Sequence, residues 1–351
     1  MNRKRVLARA PSNIAIVKYM GKVDPERNLP ANPSLSMTLS SLCTYVELRA
    51  VQGSGLRFVR EVPEGGKGQS PALTAAGEEK FLGHLGKAMD RAPELLAAHR
   101  LAAGNIPAHV EIRTSNTFPA AAGIASSASS FAALTLAAIV FHARSSEEFR
   151  TRYSEDSALR RSLASLSREG SGSSCRSFEG PFVAWDEDRT ERVESALRPL
   201  SDLVIVVSAS AKAVGSTEAH RRVRTSPNWD DRTKRAANRF VDLKNALIKG
   251  NFAGLREIAD ADFRDMHLLF ETSVPPFSYF APGTTAVLDF LAGESGIAVT
   301  MDAGPNVHVI VPQNEEEHWR LKIAARFPEF PILVDREGSG ADFVVFDGAE
   351  S

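Results

Sequence analysis

Phe118-Pro119-Ala120-Ala121-Ala122-Gly123-Ile124-Ala125-Ser126-Ser127-Ala128-Ser129-Ser130 runs into a stretch, Ser127 to His142, that is apolar nearly all round. A helix with no polar face belongs inside a lobe rather than on it. The pattern therefore predicts a central buried helix entered through a loop of small residues. Such a helix start can hold phosphate: its free N–H groups and positive dipole end face an anion, glycine and alanine permit close backbone approach, and a serine can bond phosphate or ligate a divalent ion. The same residues also suit a plain serine cap on an alanine-rich core helix, so the choice turns on what surrounds them.

Around that helix, short strand-like runs (Thr44 to Leu48, His109 to Ile112, Leu203 to Val207, Ile297 to Thr300, Val307 to Val311 and Phe343 to Phe346) alternate with helical stretches without a strict βα rhythm, which argues for an α+β chain. Asp231 to Lys249 and Phe252 to Leu268 mix charged and apolar positions at helical spacing and read as surface helices of a second lobe. The boundary is placed near residue 195, giving lobes 1–195 and 196–351, and Glu64 to Ser70 reads as a loop tip.

The 351 residues carry 42 Lys+Arg, 43 Asp+Glu and 43% hydrophobic residues. At roughly 100–200 residues per domain this makes about two domains with sizeable cores and excludes disordered and fibrous classes. A formal charge of -1 gives no global field for a polyanion, so neither nucleic acid nor a membrane surface is an expected partner, although a local patch can hold a small anion. Cys43 and Cys175 are too few for a disulfide scaffold or thiolate cluster and read as reduced thiols of a cytoplasmic protein. Arg9 interrupts the basic start before a signal-type apolar core can form, and Phe131 to Phe141 falls short of the roughly 20 residues that cross a bilayer. Neither export nor a membrane span is expected.

No G-x-x-x-x-G-K-[ST], G-x-G-x-x-G or H-E-x-x-H occurs, which removes Walker-type, dinucleotide and zincin chemistry. Three further segments could join the small-residue loop. Gly170-Ser171-Gly172-Ser173-Ser174-Cys175-Arg176-Ser177 is a glycine/serine loop ending in arginine, a residue suited to bidentate carboxylate or phosphate contacts. Ser12 to Lys22 brings Lys18, Tyr19 and Lys22 to the end of an apolar strand, and Thr300 to Asn306 runs a strand into a Gly-Pro turn edged by Asp302. Taken singly these are a flexible loop, a solvated edge and a turn aspartate serving local N–H groups. If Asp302 faces the lysine and arginine, it becomes a charge-paired carboxylate able to orient or deprotonate a hydroxyl.

Together the segments resemble the GHMP kinase superfamily and, within it, the diphosphomevalonate decarboxylase family. The family's Pro-x-x-x-Gly-Leu-Ala-Ser-Ser-Ala loop matches Pro119 to Ala128 with isoleucine at 124, Lys-Tyr-Trp-Gly-Lys matches Lys18 to Lys22 with methionine at 20, and Gly-Ser-Gly-Ser-Ala-Cys-Arg-Ser matches 170 to 177 with serine at 174. Asp302-Ala303-Gly304-Pro305-Asn306, Leu29 to Leu39 and Gly215-Ser216-Thr217-Glu218 agree as well, so the resemblance runs in order from about residue 8 to 312.

The resemblance implies a two-lobed GHMP kinase fold, ribosomal-protein-like at the N-terminus and ferredoxin-like at the C-terminus, with the site in the cleft between the lobes. It also implies ATP, Mg2+, a homodimer, and phosphorylation of the 3-hydroxyl of 5-diphosphomevalonate followed by loss of phosphate and CO2. The implied catalytic residues are Asp302, Lys18 and Arg176, with Tyr19, Met20, Gly21, Lys22, Ser171, Gly172, Ser173, Ser174, Cys175, Arg176 and Thr217 around the substrate. Pro119, Ala122, Gly123, Ile124, Ala125, Ser126 and Ser127 would hold the nucleotide phosphates, and Ser127 the metal. Cys175 is expected to serve packing.

Three departures bear on specificity: Met20 for the family's tryptophan, Gly180-Pro181 for Gly-Gly, and Phe280-Ala281-Pro282-Gly283 without the usual asparagine. They motivate a second reading, a 3-hydroxyl kinase or decarboxylase acting on mevalonate or its monophosphate. A third, a non-catalytic nucleotide-binding relative, is disfavoured by the intact charged trio. The family's basic residue near Glu78 to Phe81 has Lys80 as its candidate, with no role transferred.

Overall fold

The computed structural model describes residues 4–105, 109–119, 126–208 and 213–346. One long antiparallel pair organises the first lobe: β1 (Arg5–Val17) runs against β4 (Ser34–Ala50) from Arg5↔Arg49 to Val17↔Leu35. The short strands β2 (Lys22–Asp24) and β3 (Leu29–Pro30) make the hairpin between them. Because β4 is 17 residues long, its far edge takes two partners, β6 (His109–Asn116) along Thr44 to Ala50 and β7 (Phe182–Asp186) along Ser34 to Met37. β5 (Gly55–Phe58) joins β6 in parallel, and β8 (Arg189–Val193) joins β7.

Helix α1 (Ala75–Ala98) precedes β6; α2 (Ser126–His142), α3 (Ser146–Glu155) and α4 (Ser157–Arg168) follow it. α2 is the expected central helix: from Ala128 onward every residue except Ser130 is buried, between β1 and β4 on one side and α1 and α4 on the other. Its polar residues survive burial because they are bonded. Ser129 Oγ meets Thr44 Oγ1 at 2.7 Å, and Thr135 Oγ1 meets His84 Nε2 at 2.9 Å.

The second lobe has a four-stranded antiparallel sheet in the order β10-β11-β9-β12, formed by β9 (Leu200–Ile205), β10 (Ala298–Thr300), β11 (Val307–Pro312) and β12 (Ile332–Arg336). Its helices are α5 (Ser216–Arg222), α6 (Trp229–Ile248), α7 (Phe252–Glu271), α8 (Pro282–Leu291) and α9 (Glu316–Arg326). α6 and α7 lie where the sequence places two helices, but they are not simply surface helices. Phe240, Leu243, Leu247, Leu255 and Ala259 pack with Ile14, Ile16, Leu35 and Met37 of the first lobe and Val204, Ala298 and Ile310 of the second sheet. The helical hairpin is the joint between lobes, and its inward-facing Arg232, Arg239, Asp262 and Asp265 pair across the two helices instead of facing water.

Two further connections tie the halves. Asp335 at the end of β12 accepts the backbone N–H groups of Ser40, Ser41 and Leu42 and the Ser41 hydroxyl, at 2.7 to 3.2 Å. The last strand, β13 (Asp342–Phe346), returns to the first sheet and pairs with Arg5 to Arg9 of β1.

Candidate active site

Lys18 is the first residue beyond β1, where the ladder stops and side chains take over its backbone groups. Its N–H donates to Asp262 Oδ2 at 2.7 Å, and its carbonyl accepts from Asn32 Nδ2 at 3.0 Å. The buried lysine stem ends with Nζ 2.9 Å from Asp302 Oδ1, the carboxylate being the more exposed partner, 26% against 2%. Asp302 stands at the turn after β10, and its carbonyl accepts from the Gly304 N–H at 2.8 Å and from His267 Nε2 at 3.2 Å. A carbonyl only accepts, so His267 carries its proton on Nε2. Burial lowers the His267 pKa to about 4, which keeps the ring neutral at working pH.

Arg176 ends the turn Gly172–Ser177 and is wholly buried. Its Nε donates to Ser36 Oγ at 3.1 Å, Nη1 to Ser34 Oγ at 2.7 Å and Nη2 to Asn13 Oδ1 at 3.4 Å. These partners satisfy geometry without neutralising charge. Burial pulls the guanidinium below its usual range, and Asp302 is among the groups pulling it back. A buried cation held by neutral oxygens is a receptor for an anionic ligand group.

Tyr19 follows Lys18, its ring 4.6 Å from Trp185 and 4.5 Å from His220. A Cβ on Gly172 would lie 2.6 Å from the Tyr19 ring, so glycine lets the loop close on it. The Tyr19 hydroxyl is buried without a hydrogen-bond partner among the described residues, and burial raises its pKa well above the usual range. Gly21 has φ +82°, and a Cβ there would sit 1.9 Å from the Trp229 ring, so this tight turn admits glycine alone. Its N–H donates to His220 Nδ1 at 2.8 Å. Lys22 Nζ donates to Asn28 Oδ1 at 2.5 Å. Burial and the nearby Lys80 lower the Lys22 pKa, and burial lowers that of Lys80. Two lysines in mutual repulsion at one end of a cleft make an anion site.

These groups share one cleft of about 780 Å3, lined by Lys18, Tyr19, Met20, Lys22, Lys80, Ser126, Ser127, Ser171, Gly172, Ser173, Arg176, Thr217, His220 and Asp302 among others. Ser171 Oγ donates to Ser127 Oγ at 3.1 Å, joining the glycine/serine loop to the first turn of α2. Some expected residues stand behind the wall. Ser174 Oγ bonds Ser167 Oγ and the Ser171 carbonyl, and the Cys175 thiol, raised to about 12 by burial, donates to the Gly172 carbonyl; both shape the loop from inside. Gly21 supplies the turn. Met20 reaches the cleft from an apolar cluster with Ala219, Val223, Met266 and Phe270, against which Trp229 packs. Pro119 is exposed and outside the lining, and Ala122, Gly123, Ile124 and Ala125 lie outside the described residues.

Among the described residues no group of three or more His, Cys, Asp or Glu is placed to hold a metal ion. The exposed Ser127 hydroxyl fits a Mg2+ carried mainly by nucleotide phosphates, the usual arrangement for that ion. Sequence reading missed Asn13, Asn28, His220, Asp262 and His267. Each acts on a partner distant in the chain; Asn28 also accepts from the nearby Lys22, and its place in that hairpin was its only signal.

Residues 10–196 match the diphosphomevalonate decarboxylase-like N-terminal domain, and residues 202–336 match the mevalonate 5-diphosphate decarboxylase C-terminal domain. Diphosphomevalonate decarboxylase mvd1 of Aspergillus fumigatus is 30% identical over 331 residues, 89% of this chain and 78% of the relative. The crystal structure of a mevalonate diphosphate decarboxylase from Legionella pneumophila superposes with a TM-score of 0.75 at 33% identity, covering 94% of this chain and 100% of the other. The structure of MDDEF in complex with MVAPP, AMPPCP and magnesium superposes with a TM-score of 0.78 at 25% identity, covering 99% and 100%. With both lobes matched in order and one cleft gathering the charged trio, the chain belongs to the diphosphomevalonate decarboxylase family, with its two-lobed GHMP kinase fold.

Proposed function

We propose that this chain converts 5-diphosphomevalonate and ATP to isopentenyl diphosphate, CO2, ADP and phosphate. The observation that carries the reading is the Lys18–Asp302 pair at 2.9 Å, facing a cleft that also holds the buried Arg176. Asp302 orients and deprotonates the 3-hydroxyl, and Lys18 holds that carboxylate while offsetting charge on the transferring phosphoryl group. Arg176 clamps the substrate carboxylate or a neighbouring phosphate. Tyr19, Lys22, Ser171, Ser173 and Thr217 bind the diphosphate, and the α2 start with Ser126 and Ser127 binds the nucleotide phosphates and Mg2+. The magnesium ion, when bound, screens the phosphate charge. Phosphoryl transfer is mainly positioning and electrostatic stabilisation, which such a cluster supplies without a covalent nucleophile.

The liganded relative, bound to MVAPP, AMPPCP and magnesium, supports this assignment of ligands. Purified protein given ATP, Mg2+ and 5-diphosphomevalonate releases CO2 and ADP in equal amounts; ADP without CO2 overturns the reading. Met20 and Ala281 motivate the alternative, action on mevalonate or its monophosphate, and ranking kcat/KM over the three substrates separates the two. The family resemblance supports a cytoplasmic homodimer, and the two buried free thiols suit a reducing compartment. Sedimentation tests the dimer.

A further inference from the structure

Helix α7 touches the backbone of both members of the charged pair. Asp262 accepts the Lys18 N–H at 2.7 Å, and His267, five residues and about 7.5 Å further along the same helix, donates to the Asp302 carbonyl at 3.2 Å. Neither contact belongs to a strand ladder. Lys18 has left β1, and Asp302 has left β10. The two reacting side chains therefore project from peptides fixed by a common third element, one from each lobe.

That element is itself braced. Asp262 is fully buried and takes Arg232 Nη2 at 2.9 Å and Arg239 Nη1 at 3.4 Å, while Asp265, one turn on, takes Arg235 at 2.6 Å and Arg239 at 2.6 Å. Arg232, Arg235 and Arg239 fall on one face of α6 by their spacing, so the hairpin locks α7 against sliding. His267 is pinned differently: Phe280 stacks on its ring at 4.7 Å, and Phe263, Phe270 and Tyr279 meet it edge-on. A ring so enclosed cannot turn its Nε2–H away from Asp302.

We infer that α7 is the gauge of the active site: Asp262 and His267 are positioning residues that hold Lys18 and Asp302 at reacting distance across the lobe boundary. A misplacement of about 1 Å costs on the order of 100-fold in turnover, so losing either contact slows chemistry without weakening substrate binding. The assignment rests on the proposed reaction for its kinetic readout and on geometry alone for its structural one.

The test uses Asp262→Ala, His267→Phe and His267→Gln in the full chain. His267→Phe keeps a ring in the stack and loses the donor, whereas His267→Gln keeps an N–H within reach. Expected are native circular dichroism, kcat lowered about 10- to 100-fold in Asp262→Ala and His267→Phe with KM for both substrates within about three-fold, and recovery of most of the loss in His267→Gln. Crystal structures of the two impaired variants should show the Lys18–Asp302 pair opened beyond salt-bridge distance. If Asp262→Ala does not fold, the His267 variants decide. Folded variants with wild-type kcat, a fall in kcat matched by KM, equal loss in Phe and Gln, or a pair still closed would each overturn the inference. Absence of turnover in the unmodified protein overturns the proposed reaction instead and leaves the crystallographic arm to decide the gauge.

Discussion

Asp302 and Lys18 form a pair whose value lies in where its charge is aimed. Asp302→Asn keeps the shape and a hydrogen-bond acceptor for Lys18 but removes the base, so ATP binding stays near normal while kcat falls by about 100- to 10,000-fold, the usual contribution of a positioned proton acceptor. Isothermal titration with a nucleotide analogue beside steady-state kinetics checks both halves. At the other end of the cleft, Lys22 and Lys80 lose their protons more readily than ordinary lysines because burial disfavours the charged form of each and Lys80 repels Lys22. A polyanionic ligand favours the charged form, so binding takes up protons on the alkaline side, and KM for the anionic substrate rises at a lower pH than free lysine chemistry sets. Calorimetry in buffers of different ionisation enthalpy measures that uptake.

At the scale of elements, one inter-lobe tie outside the α6–α7 hairpin is a single carboxylate. Asp335 gathers three backbone N–H groups and a hydroxyl from Ser40, Ser41 and Leu42, so Asp335→Ala strands the buried Leu42 N–H with its part-buried neighbours and costs about 1–3 kcal/mol. Urea unfolding reads the loss, with kcat of the folded protein little changed because this contact is remote from the cleft lining. Asp335 also illustrates what sequence conveys. Local signals gave α2, most strands and the segments carrying Lys18, Arg176 and Asp302, since each is a contiguous pattern of size, charge and turn chemistry. Asp335, Asp262 and His267 leave no such pattern. Each is an ordinary residue whose partner lies 35 to 295 positions away, so its meaning exists only after packing. The α6–α7 stripe misled for a related reason: charged positions at helical spacing look solvated until a facing helix supplies their counter-charges.

Across the whole molecule, burial lowers the pKa of four described histidines, His84, His142, His220 and His267, and holds them neutral. His84 and His267 are lowered to about 4 and His220 to about 3, against an ordinary value of 6.5. The unfolded chain binds their protons first, so stability is full above pH 6.5 and drains away as pH falls through the interval down to about 4. Denaturant midpoints taken across that interval should fall steadily, and His84→Gln, away from the cleft, should flatten the slope.

The return of β13 to the side of β1 has a consequence for biosynthesis. The first lobe borrows its border from residues synthesised after the whole second sheet, so a nascent chain that has emitted only the α2 lobe presents Arg5 to Arg9 as an open selvedge until Asp342 to Phe346 emerge. A gene fragment stopped after the first lobe inherits that raw border permanently, and supplying β13 as a separate peptide is the direct way to hem it.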